Sequence, residues 1–237
     1  MDWGRAKTIL ILSFFMLNLL LGYQLWYDQV SPAAGNADAV EAALETEEIL
    51  AARNIALKVK VPADTPKLRD LTVAITPIQG EPRTVRLRTS FPAAELDDKT
   101  GLNASLSQQI PDAESYRLDP ILSTNARYVL YQMYGDYPMF DVKLELFAQD
   151  GMVYAFRQSH AEVMNQHMMR EQKVLSGIRA VGILAENRLA PGTSIIDVQL
   201  GYHGQAFNSE TRALAPYWRI VTDRDEQYFI HAITGEE

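Results

Sequence analysis

Cysteine is absent from all 237 residues, which excludes disulfides, thiolate zinc sites, iron–sulfur clusters, a cysteine nucleophile and a lipoprotein cysteine. Motifs of catalysis are equally missing: HExxH, GxSxG, GxxxxGK and the EF-hand loop do not occur. Histidine is sparse, with four in the chain. His160 and His167 are too far apart to share a helical turn, and His203 and His231 lie in separate segments, so no metal site is expected. An excess of positive charge is also lacking. The formal charge is −8, and the residues beyond the first 27 carry −9, which argues against binding nucleic acid or an anionic surface through bulk charge.

What remains is a chain with 47% hydrophobic and 22% charged residues, the balance of a folded globular protein. The carboxylates Asp97-Asp98 and Asp223-x-Asp225-Glu226 sit in turn-like sequence without the spacing of a calcium loop. They read as solvated turns. Tyr128, Tyr131, Tyr134, Tyr137 and Phe140 could form a stacking platform for sugars, but their periodicity fits core and hairpin packing better. Neither an enzyme nor a cofactor is expected.

The one long apolar run is Thr8–Tyr23, extended by Leu25 and Trp26 to nearly the ~20 residues that span a bilayer. Arg5 and Lys7 precede it and Asp28 follows it, which predicts a cytoplasmic N-terminus with the rest of the chain outside. A cleaved signal peptide competes, with Ala37-Asp38-Ala39 as its small-x-small site. That site lies well beyond the run, and bulky Tyr23, Leu25, Trp26 and Tyr27 occupy the place where cleavage would fall. Inside the span, Ile11, Phe15, Asn18 and Gly22 recur at helical spacing. Such a stripe can pack on another membrane helix, since a small residue permits close approach and an amide gains from a partner. A simple anchor tolerating one Asn is the alternative.

Beyond the run, Ser31–Asn36 reads as a spacer, followed by an amphipathic helix capped by Asp38. Ile55–Val61 alternates like a strand closed by Pro62, and further strands are predicted at Leu71–Thr76 and Thr84–Thr89. Residues 91–120 read as loops and a domain junction. Strands follow at Ala126–Tyr134, Phe140–Ala148 and Met152–Val163, with Asp150-Gly151 as a hairpin turn. A helix over Arg170–Leu189, with Gly177 and Gly182 packed closely on a sheet, precedes strands at Ser194–Tyr202, Trp218–Thr222 and Gln227–Ile233. The expected fold is α+β: a cytoplasmic N-terminus (1–7), a transmembrane signal anchor (8–26), a spacer (27–37), and two small helix-plus-antiparallel-sheet domains (38–120 and 121–237).

Both ends of the chain resemble a known family. The opening MDWGRAKTILILSFFMLNLLLGYQL, with Asp2-Trp3, Lys7-Thr8, Leu17-Asn18 and Gly22-Tyr23-Gln24-Leu25, is similar to that of the YycI regulatory proteins of Gram-positive bacteria. The resemblance continues in VPADTPKLRDL, Leu175-Ser176, Leu200-Gly201-Tyr202, Pro216-Tyr217-Trp218-Arg219 and Ile230–Glu236. His231 departs from the Asn or Asp expected before Ala232. The resemblance implies an accessory protein of the WalK/WalR (YycG/YycF) two-component system, which controls cell-wall metabolism. It implies as partners the sensor histidine kinase and a YycH-like protein, met at the lipid bilayer largely through transmembrane helices. It also implies an extracytoplasmic region like the C-terminal two domains of YycH. Joined to the residue pattern, it makes Ile11, Phe15, Asn18 and Gly22 the candidate contact face. The alternative is an extracytoplasmic binding module for a wall fragment or peptide, which requires a concave patch lined by Tyr, Arg and acidic groups.

Overall fold

The computed structural model describes residues 3–30, 32–76, 83–96, 109–165, 170–204 and 211–236. Its contacts divide the chain between Glu45 and Thr46.

The first unit holds helix α1 (Trp3–Val30) and most of helix α2 (Pro32–Ala52). Leu10, Ile11, Leu12, Phe14, Phe15, Met16 and Leu17 are each more than half exposed, so this part of α1 carries apolar side chains around its circumference. Its described side chains are Lys7, Thr8 and those of residues 10–23. Among the described residues no helix is long and apolar enough to cross a membrane. The side chains of Trp26, Tyr27 and Ala37–Ala39 lie outside them. The segment expected as a spacer is helical from Pro32 onward. Proline's fixed φ suits a first helical turn, and Ala33 and Ala34 have high helix propensity.

The second unit is built on a mixed sheet. Its strands are β1 (Ala56–Leu57), β3 (Leu71–Thr76), β4 (Val85–Pro92), β5 (Tyr116–Thr124), β6 (Arg127–Tyr134), β7 (Tyr137–Gln149), β8 (Met152–Gln158), β9 (His160–Asn165), β11 (Ser194–His203), β12 (Thr211–Thr222) and β13 (Gln227–His231). The main path runs β4-β8-β7-β11-β12-β3-β9. Off it, β6 joins β7, β5 joins β6, β1 joins β11 and β13 joins β12. A small ribbon pairs β2 (Lys67–Leu68) with β10 (Gln172–Lys173). The fold is thus α+β and rich in sheet. Pairing crosses the boundary expected near residue 120, because β3 lies between β12 and β9 while β4 lies on β8.

Several elements follow from local chemistry. Asp150 and Gly151 both have positive φ, as the tight β7–β8 hairpin turn requires. Helix α3 (Gly177–Asn187) is shorter than the predicted helix, because Gln172 and Lys173 pair with β2 instead. Val181, Leu184, Ala185 and Leu189 are buried with Trp218 and Ile220 of β12. The two glycines of α3 differ in their neighbours. A Cβ on Gly177 would meet Val61 at 2.7 Å and Trp218 at 3.1 Å, while one on Gly182 would meet Thr46 of α2 at 2.5 Å. Only Gly177 therefore faces the sheet as expected.

The predicted strand over residues 152–163 divides at Ser159, where β8 leaves β7 and β9 takes up β3. Buried Gln132 bridges this change of partner. Its side-chain amide mimics a strand: Nε2 donates to the Ala161 carbonyl at 2.9 Å, and Oε1 accepts from the Ala161 N–H at 2.7 Å.

Candidate functional site

Ile11, Phe15, Asn18 and Gly22 are spaced by four, three and four residues on α1, so the helix brings them to one face. Ile11 and Phe15 are 59% and 64% exposed, and nothing lies within 4 Å of where a Gly22 Cβ would stand. The Asn18 Nδ2 donates to the Phe14 carbonyl at 2.8 Å. That bond uses one of the amide's two N–H groups and leaves its oxygen as an acceptor. The face therefore offers an apolar ledge, a polar handle and a notch.

The other sequence candidates have structural neighbours. His203 Nδ1 lies 3.0 Å from the Asp141 carboxylate, and its ring stacks on Phe229 at 4.1 Å. His231 Nδ1 accepts from the N–H groups of Ile233 and Thr234, each at 3.2 Å, and so shapes the turn after β13. His160 is 3.9 Å from Asp112. His167 and Asp97-Asp98 lie outside the described residues. Asp223 accepts from the Ser194 N–H at 3.0 Å, and hydrogen bonding there holds its carboxyl below the usual range. Among the described residues no group of three or more His, Asp or Glu could hold a metal. Tyr131 and Phe140 pack edge to face at 5.5 Å, while Tyr134 and Tyr137 pack edge to face on Tyr202. These aromatics are packing groups.

A cluster that sequence reasoning did not single out surrounds Arg219. Its side chain is 1% exposed, held on β12 within the buried run Trp218–Thr222. The guanidinium donates to Asp119 through Nη1, and through Nη2 to Asp197 at 2.8 Å and to Gln199 at 3.0 Å. It also lies over the rings of Phe140 at 4.9 Å and Tyr131 at 5.5 Å. Burial alone would lower its pKa, but the two carboxylates outweigh that, and the net direction is upward. Burial likewise pushes the Tyr131 phenol up to about 12, against the pull of Arg219. Strand alternation points Arg219, Asp197 and Gln199 to one face and Trp218, Val198 and Leu200 to the other.

Two cavities flank this part of β11. One, of about 310 Å³, is lined by Arg117, Asp119, Ile121, Met133, Asp197 and Arg219, among others. The second, of about 220 Å³, is lined by Pro62, Asp64, Asp136, Tyr137, Leu200 and Trp218, among others. Both also touch Val198 and Gln199. The available clue in the sequence was an arginine inside the largely apolar run Trp218–Thr222.

Comparison with known proteins gives a family. A family profile described as "YycI protein" matches residues 75–233. No curated protein matches. Nine solved chains match; one is an uncharacterized protein from Eubacterium rectale, 14% identical, with a TM-score of 0.34, and the match covers 65% of this chain and 50% of that one. The chain thus spans about half the length of that solved protein. The profile match covers most of the chain, which belongs to the YycI family. The YycI family is associated with the YycFG (YycG/WalK kinase) two-component system.

Proposed function

We propose that this member of the YycI family is a membrane-anchored regulator of the sensor histidine kinase, acting with a YycH-like partner through transmembrane helix contacts and carrying out no catalysis itself. In this reading residues 8–26 are a single-pass anchor in the cell membrane, the N-terminus is cytoplasmic, and the sheet-rich region is extracytoplasmic. The observation that carries it is the face of α1 made by Ile11, Phe15, Asn18 and Gly22, exposed and bearing one side-chain amide. In hydrocarbon, a polar group of this kind gains from a partner on a neighbouring helix, and a glycine lets that helix approach. The pattern of basic residues before the span and an acidic one after it sets the orientation.

The test is co-purification from membranes with wild type compared against Asn18→Leu and Gly22→Leu. An interhelical hydrogen bond contributes about 1 kcal/mol, so Asn18→Leu should recover about fivefold less kinase at limiting expression, and Gly22→Leu, which fills the notch and blocks close approach, should also recover less. Membrane insertion should be unchanged. Recovery at the wild-type level by both variants would assign the contact to another surface.

A second reading, a binding module for a peptide or wall fragment, is favoured by the concave patch at Arg219. That patch has the lining of tyrosine, arginine and acid that such a module needs.

A further inference from the structure

Strand β11 is bound along one side by β12 over Ile195–His203. On its other side the partners are β1, at Ser194 and Ile195, and β7, at Tyr202 alone. Lys58 N–H donates to the Ile195 carbonyl at 2.9 Å, marking where β1 ends. At the far end a Cβ on Gly201 would stand 2.4 Å from the Pro138 carbonyl oxygen, marking where β7 closes in. Between these two points, over Asp197–Leu200, no described strand pairs with that edge. At about 3.3 Å per residue this is room for roughly three to four residues of extended chain.

The two cavities sit on opposite faces of this open edge and meet at Val198 and Gln199. An unpaired edge with a recess above and below is the geometry of strand addition. Main-chain hydrogen bonds supply affinity, and successive side chains of the guest enter recesses on alternate faces. We propose that this edge binds an extended segment of a partner polypeptide in which an apolar residue alternates with a basic one. The inference goes beyond the kinase contact assigned to α1 and does not depend on it.

The chemistry of the recesses sets that alternation. On the Arg219 face the charges of Arg117 and Arg219 balance those of Asp119 and Asp197, and Ile121, Met133 and Pro138 supply apolar wall. An uncharged, apolar side chain fits there without leaving a buried charge unpaired. On the Trp218 face the charged lining residues are Asp64 and Asp136, both exposed, and the lining holds no lysine or arginine. Tyr137 and Trp218 add aromatic wall. A lysine or arginine meets two carboxylates there and can lay its stem on the rings.

The experiment uses the full chain in detergent micelles and a labelled pool of short, end-capped peptides in which Lys alternates with Val or Leu. Anisotropy should show saturable binding, and hydrogen exchange should show new protection at Val198–Leu200. Replacing Lys by Glu in the pool should weaken binding about tenfold. The Asp64→Asn/Asp136→Asn pair should weaken the Lys pool about fivefold while leaving the fold intact, both sites being exposed. Backbone N-methylation of the peptides, which removes strand hydrogen bonds but keeps side chains and charge, should abolish binding. No binding of the Lys pool, equal binding of the Glu or N-methylated pool, or protection confined to other strands overturns the proposal. Kinase recovery with Asp64→Asn/Asp136→Asn should match wild type, which separates this surface from the α1 face.

Discussion

Replacing Arg219 by Met removes the cation from a nearly water-free site while keeping much of the side-chain volume. Asp119 and Asp197 then remain with side chains 5% and 20% exposed and without their shared guanidinium. Breaking a buried ion pair from one side typically costs about 3–5 kcal/mol, because the surviving charge is left desolvated. Arg219 is shared between two carboxylates and lies over two rings, so the upper part of that range is expected. Asp119 carries a second duty: its Oδ1 accepts from the N–H groups of Ile121 and Leu122 at 2.9 and 3.1 Å. The useful companion is therefore Asp119→Asn, which keeps that acceptor and removes the charge. In Arg219→Met/Asp119→Asn one orphaned charge is gone, so the double variant should be more stable than the sum of single losses predicts, by more than about 1 kcal/mol. Urea unfolding followed by tryptophan fluorescence, with Trp218 buried next to the cluster, reports each midpoint. An Arg219→Met protein within about 0.5 kcal/mol of wild type, or strictly additive single losses, would refute the reasoning.

Gly201→Ala should cost about 1–3 kcal/mol, since its methyl meets the Pro138 carbonyl oxygen and the Phe140 ring at 2.7 Å or less and neither can move freely; thermal unfolding measures it. Gly22→Ala has open space and should leave that midpoint unchanged. The buried phenols of Tyr116 and Tyr131, each pushed from 10 to about 12 chiefly by burial, predict alkaline unfolding. Their folded-state pKa values are raised, so the stability they contribute is complete below pH 10 and is lost as pH climbs through about 12, up to roughly 3 kcal/mol for each. Tyrosinate absorbance against pH should show a late, cooperative step coincident with loss of near-ultraviolet dichroism, and a smooth titration near pH 10 would contradict it.

Local chemistry made some of this structure readable in advance. Asp150-Gly151 between alternating runs gave the β7–β8 hairpin, and the apolar stripe through Val181, Ala185 and Leu189 gave the buried side of α3. Long-range partners did not announce themselves. The alternation of Ile55–Val61 predicts a full strand, yet only Ala56–Leu57 pair. Val59 and Val61 instead satisfy their apolar character by packing on the core beneath α3. The start of the predicted 170–189 helix was taken by β2, about a hundred residues away in sequence, through Gln172 and Lys173. Arg219 shows the same limit at the candidate site. Its counter-charges lie 100 and 22 residues from it, so neither could be assigned from the spacing of any motif. The α1 stripe, by contrast, needs only one helix to share a face.

The central claim is that α1 is a contact surface as well as a tether, and one substitution tests it most directly. Residues 8–26 are replaced by a polyleucine helix of equal length, keeping Arg5, Lys7 and Asp28, and the protein is recovered from membranes with whatever it holds. The account predicts normal insertion and orientation together with loss of the histidine kinase and the YycH-like protein from the recovered material. Recovery of the kinase at wild-type levels through a polyleucine span would contradict it and move the contact to the sheet-rich region.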